Sequence, residues 1–585
     1  MKNKTVWSMV MCMALWACTL LPVSAHDPWA IQNIIVERDQ AARMRDGVAL
    51  YADVYRPAEP GTYPALLIRT PYNKALEAVS FIPVAVRRGY VVVVQDVRGE
   101  FKSEGHFLPY TQEVDDGYDT IEWVAALPYV NGKVGTFGLS YPGAVQWMTA
   151  PSRPPHLVAM VPAMTFANSR HFVYDGGIFV SPILNWLLGR QAKERRERGL
   201  PFTTPGELQD AWTHNAGKWL MTLPLRDLAI MQDFPYWAEW IDHHDDGPYW
   251  APYDIEAQHN RVEVPVLNLT GWNDDSYGQP GAIRNYMGMT KNGATERARR
   301  GQRLLIGPWT HGVESTGRTS FRGRDYGPSA AIDYNQTLLQ FFDYWLRGVD
   351  NGFSTQPPIR IFVMGDNKWR FENEWPPART EYEKLFLRSD NRLTRDAPAE
   401  DGLDQFVYDP RNAVRLPAQV TYETEPGSWR MVTARRDVLT YTTPPLDRDI
   451  EITGQIIGKI WVSSTAPDTD FTLRLLDLAP DGAPSDFTAA FGRLRARYRS
   501  TEHESAPQPL PRNQATELTI SMGYTSNVIK AGHRLQVIVM GSVYPYVHPN
   551  TWEPFTTWSQ AVPATQTIYH DANHPSHVIL PLIPR

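Results

Sequence analysis

Gly138, Leu139, Ser140, Tyr141, Pro142 and Gly143 set a serine hydroxyl among small residues, directly after the run Lys133 to Phe137 and before a helix expected over Ala144 to Thr149. A sharp turn between a buried strand and a helix lifts the central side chain above the sheet, where its hydroxyl can attack a carbonyl carbon. A serine at its ordinary acidity is a weak nucleophile, so such a site also needs a neutral imidazole as base and a carboxylate to orient it. The pattern departs from plain G-x-S-x-G because Pro142 holds the usual last glycine position and Gly143 follows it. An ordinary glycine-rich turn has the same look, so the other members of the site must decide.

Two further segments supply them. After the apolar run Val266 to Leu269 come Gly271, Trp272, Asn273, Asp274 and Asp275; after Leu304 to Ile306 come Gly307, Pro308, Trp309, Thr310 and His311. Asp274 and His311 are thus expected just past the carboxyl ends of strands, the edge where open α/β sheets place their ligands. The order Ser, Asp, His is the one this chemistry takes on an α/β-hydrolase sheet. Asp275 is the alternative acid. Stabilising a tetrahedral oxyanion requires aimed donors. The backbone N–H of Tyr141, next after the serine, is the expected first donor. Arg69 to Lys74 follow the run Ala65 to Ile68 and bring the Tyr72 hydroxyl to the same edge, either as a second donor or simply packed there.

The elements that must position these residues are legible as short apolar runs: Ala65 to Ile68, Val91 to Val94, Val134 to Phe137, Val266 to Leu269 and Leu304 to Ile306. Separated by helical lengths, they predict an α/β fold with a mostly parallel sheet. The first part of this core is assigned to 26–155 and the second to 263–355. Between them, 156–262 mixes Trp, Pro and charges, with a helix expected over Ile183 to Arg198, and reads as an inserted helical cap. From 356 to 585 shorter alternating runs punctuated by Pro, Gly and Asp predict a β-sandwich or jelly-roll domain. Ile359 to Met364 is taken as its first strand.

At 585 residues the chain exceeds one ordinary core, which agrees with a division into several domains. A net charge of -7 offers no basic field for a phosphate backbone, which excludes nucleic acid as a partner class. The N-terminus joins Lys2 and Lys4 to an apolar stretch from Val6 to Leu21 and ends in Val23, Ser24, Ala25. This is the pattern of a secretory signal peptide (1–25) cleaved after Ala25, and the stretch is shorter than the roughly 20 residues that span a bilayer. The expected location is therefore secreted or periplasmic, without stable membrane insertion; lipid attachment at Cys18 is the less favoured alternative because of the bulky Trp16. Both cysteines, Cys12 and Cys18, fall in this segment, so the mature chain has neither disulfides nor a thiol nucleophile. His106, His171 and His533 have no convincing partner ligands, and the run Asp242, His243, His244, Asp245, Asp246 reads better as a solvated loop than as a cation site. No metal or cofactor is expected. Asp96 and Arg98 are assigned to holding the loop beside the site.

Taken together, Arg69 to Lys74, Gln95 to Gly99 with Ser103 to Gly105, Gly138 to Gly143, Gly271 to Asp274 and Gly307 to His311 resemble the cocaine esterase and X-prolyl dipeptidyl peptidase family. The resemblance continues through Trp461 to Ser464, Asp468 to Phe471, Arg495 to Arg499 and Asn527 to Arg534. It implies an α/β-hydrolase core, a helical cap and a C-terminal jelly roll, with Ser140 as nucleophile, Asp274 as orienting acid, His311 as base and Tyr72 as the oxyanion tyrosine. The implied activity is hydrolysis of an acyl ester or amide of a small substrate; the alternatives are release of X-Pro dipeptides, hydrolysis of α-aminoacyl esters, or a non-enzymatic carbohydrate-binding role for a Trp-rich chain. The related α-amino acid ester hydrolases carry acidic residues two and three places after the triad acid. Here those places hold Ser276 and Tyr277. Burying an ammonium without a matched carboxylate costs several kcal/mol, so neutral or aromatic acyl groups are expected in a pocket of Trp272, Trp309, Phe172 and Tyr174, unless Asp275 or Asp175 reaches the amine. The oligomeric state is left open.

Overall fold

The computed structural model describes residues 33–180, 183–245, 247–274, 277–321, 323–400, 402–415, 429–500, 507–544, 547–553 and 556–585, with backbone alone for 485–490. Residues 1–25, expected to form a signal peptide, and both cysteines lie outside the described residues. So does Asp275.

The chain opens on antiparallel β1 (Ile34–Arg43) and β2 (Ala49–Pro57), followed by β3 (Tyr63–Thr70), β4 (Val91–Asp96), β5 (Val130–Leu139) and β6 (Leu157–Ala163). A two-residue pair, β7 (Tyr174–Asp175) and β8 (Ile178–Phe179), precedes β9 (Leu267–Gly271) and β10 (Arg303–Gly307). A second short pair, β11 (Ser320–Phe321) and β12 (Arg324–Asp325), leads to β13 (Ile359–Val363) and β14 (Lys368–Glu372). Ten of these strands form one sheet in the order β1-β2-β4-β3-β5-β6-β9-β10-β13-β14. Every neighbouring pair from β4 across to β13 is parallel. The run Val91 to Val94 shows why: four β-branched residues in succession, all buried, suit a strand covered on both faces.

The cover is helical. Helix α1 (Ile82–Arg87) buries Ile82, Ala85 and Val86 on one face of the sheet, while α2 (Glu113–Ala125) and α3 (Tyr141–Thr149) lie on the other. All nine residues of α3 are buried, which fits its lack of any charged side chain. Gly117 lets α2 approach α3 closely, because a Cβ there would lie 1.8 Å from Thr149 Oγ1.

Two expected boundaries move. The cap expected over 156–262 starts later, since Leu157–Ala163 is a sheet strand that pairs with β5 from Leu157 to Ala163. Its apolar run contains Pro162, and its place next to β5 depends on distant pairing rather than on local pattern. Likewise Ile359–Val363, expected in the C-terminal domain, extends the central sheet through Leu304↔Ile359 and Ile306↔Ile361. In the cap, α4 (Ser169–Val173) is followed by α5 (Ile183–Gly189) and α6 (Ala192–Glu197), two short helices where one was expected. Then come α7 (Pro205–Trp219), started by a Thr204/Glu207 capping box, and α8 (Pro235–Asp242).

From Glu381 onward the chain is β-rich, with an 11-stranded sheet around the apolar cluster that includes Ile460, Phe471, Leu473, Val537 and Leu580. Half-buried Arg495 and buried Arg497 pair with buried Asp470 and Asp468. This domain contacts both other parts. Tyr524 N–H donates to Gln279 Oε1 at 3.0 Å, and Arg493 Nε donates to Asp175 Oδ2 of the cap at 2.7 Å. Among the described residues, no helix is long and apolar enough to cross a membrane.

Candidate active site

Ser140 stands alone between β5 and α3 with φ 65° and ψ -121°, a conformation that side-chain-bearing residues rarely adopt. Its surroundings enforce that geometry. Ser140 N–H donates to Ala163 O of β6 at 3.0 Å, while the Ser140 carbonyl accepts from Gly143 N and Ala144 N at 3.0 and 2.9 Å. Gly138 has φ 145°, and a Cβ there would meet Pro142 Cβ at 2.4 Å; one on Gly143 would meet Ala163 O at 2.8 Å. These glycines let the strand, turn and helix close together, and Pro142 in the first helical turn needs no N–H partner.

The loops after β9 and β10 are clamped to one another. Trp272 N–H donates to Gly307 O at 2.7 Å, Asn273 N–H to Trp309 O at 2.9 Å, and the Asn273 side-chain amide to Pro308 O at 2.6 Å. Gly271 has no room for a Cβ, which would lie 2.1 Å from Trp309 O. This clamp holds Asp274 against His311: Nδ1 of His311 donates to Asp274 Oδ1 at 2.7 Å. The other carboxylate oxygen accepts from Thr270 Oγ1 at 2.8 Å, so both oxygens are fixed. The Asp274 carboxylate is fully buried, whereas the imidazole is 24% exposed, with Nε2 3.5 Å from the Tyr277 hydroxyl.

The Tyr72 phenol lies near enough to the Ser140 side chain to be influenced by it. It also accepts from the indole N–H of Trp186 in α5 at 3.1 Å, which leaves its own proton to be donated. Burial raises the Tyr72 phenol above its ordinary range, so it stays protonated. Tyr141 points its ring away into the core: its hydroxyl donates to Glu113 Oε1 at 2.7 Å and accepts from Tyr110 N at 3.2 Å, and Glu113 is in turn held by Arg69. The backbone N–H of Tyr141 opens α3 beside Ser140, at the positive end of the helix.

Aromatic rings from core and cap meet above this centre. Phe172 packs edge-on against Tyr277 with centroids 4.9 Å apart, and against Tyr110 and Trp186 at 5.7 and 6.0 Å; Trp186 stacks on Tyr141 at 5.8 Å. Phe172 thus lies beside Tyr277, whose ring is 5.8 Å from that of His311. Three other expected pocket residues pack elsewhere. Trp272 and Trp309 are buried among Leu269, Ile306 and Phe362, and their indoles donate to Phe362 O and Ala330 O at 2.7 and 2.9 Å. Adjacency to Asp274 and His311 in the chain is not adjacency to the pocket, because these rings turn down into the core. Tyr174 donates to Trp240 O at 2.8 Å and packs on Phe179 and Trp250 inside the cap. Trp186, Tyr110 and Tyr277 are the rings packed around Phe172 that sequence reasoning did not single out for the site.

The neighbouring charges are already committed. Asp175 pairs with Arg493, and Arg98 donates to Asp116 and Asp46. Asp96 accepts from Lys74 N at 2.7 Å, and burial pushes its carboxyl up to about 6. Asp242 pairs with Arg226, and Asp245 accepts from Tyr498; no group of three or more His, Cys, Asp or Glu side chains is arranged to hold a metal among the described residues.

Comparison with known proteins agrees with this architecture. The family model described as X-Pro dipeptidyl-peptidase (S15 family) matches residues 46–313, and that of the X-Pro dipeptidyl-peptidase C-terminal non-catalytic domain matches 351–579. A cocaine esterase of Rhodococcus sp. (strain MB1 Bresler) is 31% identical over an alignment covering 94% of this chain and 99% of the relative. An aminopeptidase from the marine sediment archaeon Thaumarchaeota archaeon has a similar structure, with TM-score 0.80 at 22% identity over 96% and 99% of the two chains. An α-amino acid ester hydrolase matches with TM-score 0.79 at 24% identity over 98% and 100%. These two structural likenesses speak to the fold.

Proposed function

We propose, from the premise that this chain belongs to the X-Pro dipeptidyl-peptidase S15 family and is a serine hydrolase acting on esters or X-Pro peptides, that Ser140 is its nucleophile, His311 its base and Asp274 the orienting acid. The observation that carries this reading is convergence at one sheet edge. A strained serine ends β5, a buried carboxylate follows β9, and the imidazole it orients follows β10. With Nδ1–H bound to Asp274, neutral His311 presents the lone pair of Nε2 and takes the Ser140 proton as Oγ attacks the acyl carbonyl. The oxyanion is met by Tyr141 N–H and the Tyr72 hydroxyl, which strengthen as charge develops and so lower the barrier rather than merely bind substrate. Protonated His311 then gives its proton to the leaving alcohol or amine, and water, activated by the same imidazole, releases the acyl group.

The aromatic surround of Phe172, Tyr277, Trp186 and Tyr110 favours a neutral, aromatic acyl group. A substrate ammonium would need a carboxylate, and Asp175 is held by Arg493 while Glu113 is held by Arg69 and Tyr141. A dipeptidyl-peptidase reading requires exactly such an acidic partner for the free amine. The basic, apolar and small-residue succession over 1–25 supports export and cleavage after Ala25, which N-terminal sequencing of the mature protein tests. For the catalytic reading, the test is turnover of a panel of acyl esters, amides and dipeptidyl anilides by wild type and Ser140→Ala. An ester-active wild type and an inactive, folded variant are expected; undiminished turnover by the variant would refute the assignment.

A further inference from the structure

The hydroxyl of Tyr72 belongs to the core, yet its surroundings are supplied by the cap. Trp186 in α5, Arg190 in the turn between the two helices and Lys193 in α6 all reach the core. Each makes a different contact with the core. Trp186 Nε1 donates to the Tyr72 hydroxyl at 3.1 Å. The Arg190 guanidinium lies 5.1 Å over the Tyr72 ring and donates to the carbonyl of Pro71, the residue just before. Lys193 Nζ donates to Ser103 O at 2.8 Å. Beneath them Glu100 is buried, with one carboxyl oxygen lacking a hydrogen-bond partner, and Arg190 and Lys193 are the cations that act on it.

We propose that Arg190, acting with the Trp186 indole, is a positioning residue for the Tyr72 hydroxyl, so that the cap is part of the oxyanion machinery as well as the roof of the pocket. This rests on the assignment of Tyr72 as an oxyanion donor. The physical case has three parts. A tyrosine hydroxyl can rotate about its C–O bond, and because the Trp186 indole donates to its oxygen the Tyr72 proton must point away from Trp186, available to an acceptor on the Ser140 side. The ring itself is held between a cation on its face and a tethered backbone at Pro71, which fixes where the oxygen lies to the sub-ångström tolerance that transition-state contacts demand. Finally, positive charge near the phenol lowers the cost of drawing electron density away from its O–H, which makes it a better donor to an oxyanion.

The test is a double-mutant cycle in the full-length protein with one acyl ester, comparing wild type, Tyr72→Phe, Arg190→Met, Arg190→Lys and the Tyr72→Phe/Arg190→Met pair. Arg190→Met is expected to lower kcat about tenfold with KM within about twofold, and Arg190→Lys to recover most of that loss. In the Tyr72→Phe background the same change should cost less than about twofold, because the hydroxyl it positions is gone. An equal loss with and without the hydroxyl, or a wild-type kcat for Arg190→Met, would overturn the proposal. If Arg190→Met fails to fold, Trp186→Phe run through the same cycle decides by the same criterion. A fully active Tyr72→Phe would remove the underlying oxyanion assignment together with the proposal; a crippled Tyr72→Phe beside unaffected Arg190 and Trp186 variants would remove the proposal alone.

Discussion

Replacing Tyr72 by Phe deletes one oxygen and leaves the ring under Arg190 in place, which makes it the cleanest perturbation of the oxyanion site. Two separate losses follow. The first is kinetic: of the two proposed donors, Tyr141 N–H remains, and loss of one donor costs about 10² to 10³ in kcat, or roughly 3 to 4 kcal/mol of transition-state stabilisation. The second is structural: the Trp186 indole loses its acceptor 3.1 Å away, which at a partly buried site costs about 1 kcal/mol of folding stability. The first loss exceeds the second, so the variant should remain folded while turning over slowly. Because the donor acts on charge that develops only in the transition state, KM should change little. Steady-state kinetics on a phenylacetyl ester together with a thermal melt separate the two. A variant with kcat within about threefold of wild type and a lowered Tm would mean that Tyr72 only packs, and the reasoning would fail.

Other perturbations have equally definite outcomes. Gly278→Ala places a methyl 2.3 Å from Asp274 Oδ2 and must displace the carboxylate, so kcat should fall about 10² with the fold retained; normal turnover would show that the acid is not held there. Burial pushes the Glu100 carboxyl up to about 8 from its ordinary 4.5. The folded chain then keeps a proton that the unfolded chain releases, so stability is full below pH 4.5 and is lost as pH rises toward 8, by at most about 5 kcal/mol at 1.36 kcal/mol per pH unit. Glu100→Gln should therefore gain on wild type between pH 5 and 8.5 in thermal melts, and a difference independent of pH would contradict the assignment. Phenylacetyl esters should exceed phenylglycyl esters in kcat/KM; a preference for the amino substrate above about tenfold, or 1.4 kcal/mol, would reveal an acidic partner and favour the aminoacyl or dipeptidyl reading.

The groups proposed to react could be picked out in the sequence because each depends on a local signal. Ser140, Asp274, His311 and Tyr72 all follow directly on an apolar strand run, and the sheet alone determines that strand ends share an edge. The α/β core and the β-rich C-terminal domain were legible for the same reason. What surrounds the reacting groups was not. Trp186 reaches Tyr72 only because α5 docks across the core, a contact spanning 114 residues that no local pattern encodes. Trp272 and Trp309 misled because they lie within two residues of Asp274 and His311 in the chain while their rings pack into the core. The strands Leu157–Ala163 and Ile359–Val363 carry ordinary apolar runs, and periodicity cannot say which sheet such a run will join.

The proposed nucleophile Ser140 is tested most directly by covalent labelling. The purified protein is treated with a fluorophosphonate, digested and mapped by mass spectrometry, with Ser140→Ala in parallel. One stoichiometric adduct on Ser140 is expected, with no adduct in the variant and a loss of turnover of up to about 10⁶ in that variant. An adduct on any other residue in an active preparation, or full turnover by Ser140→Ala, would contradict the assignment.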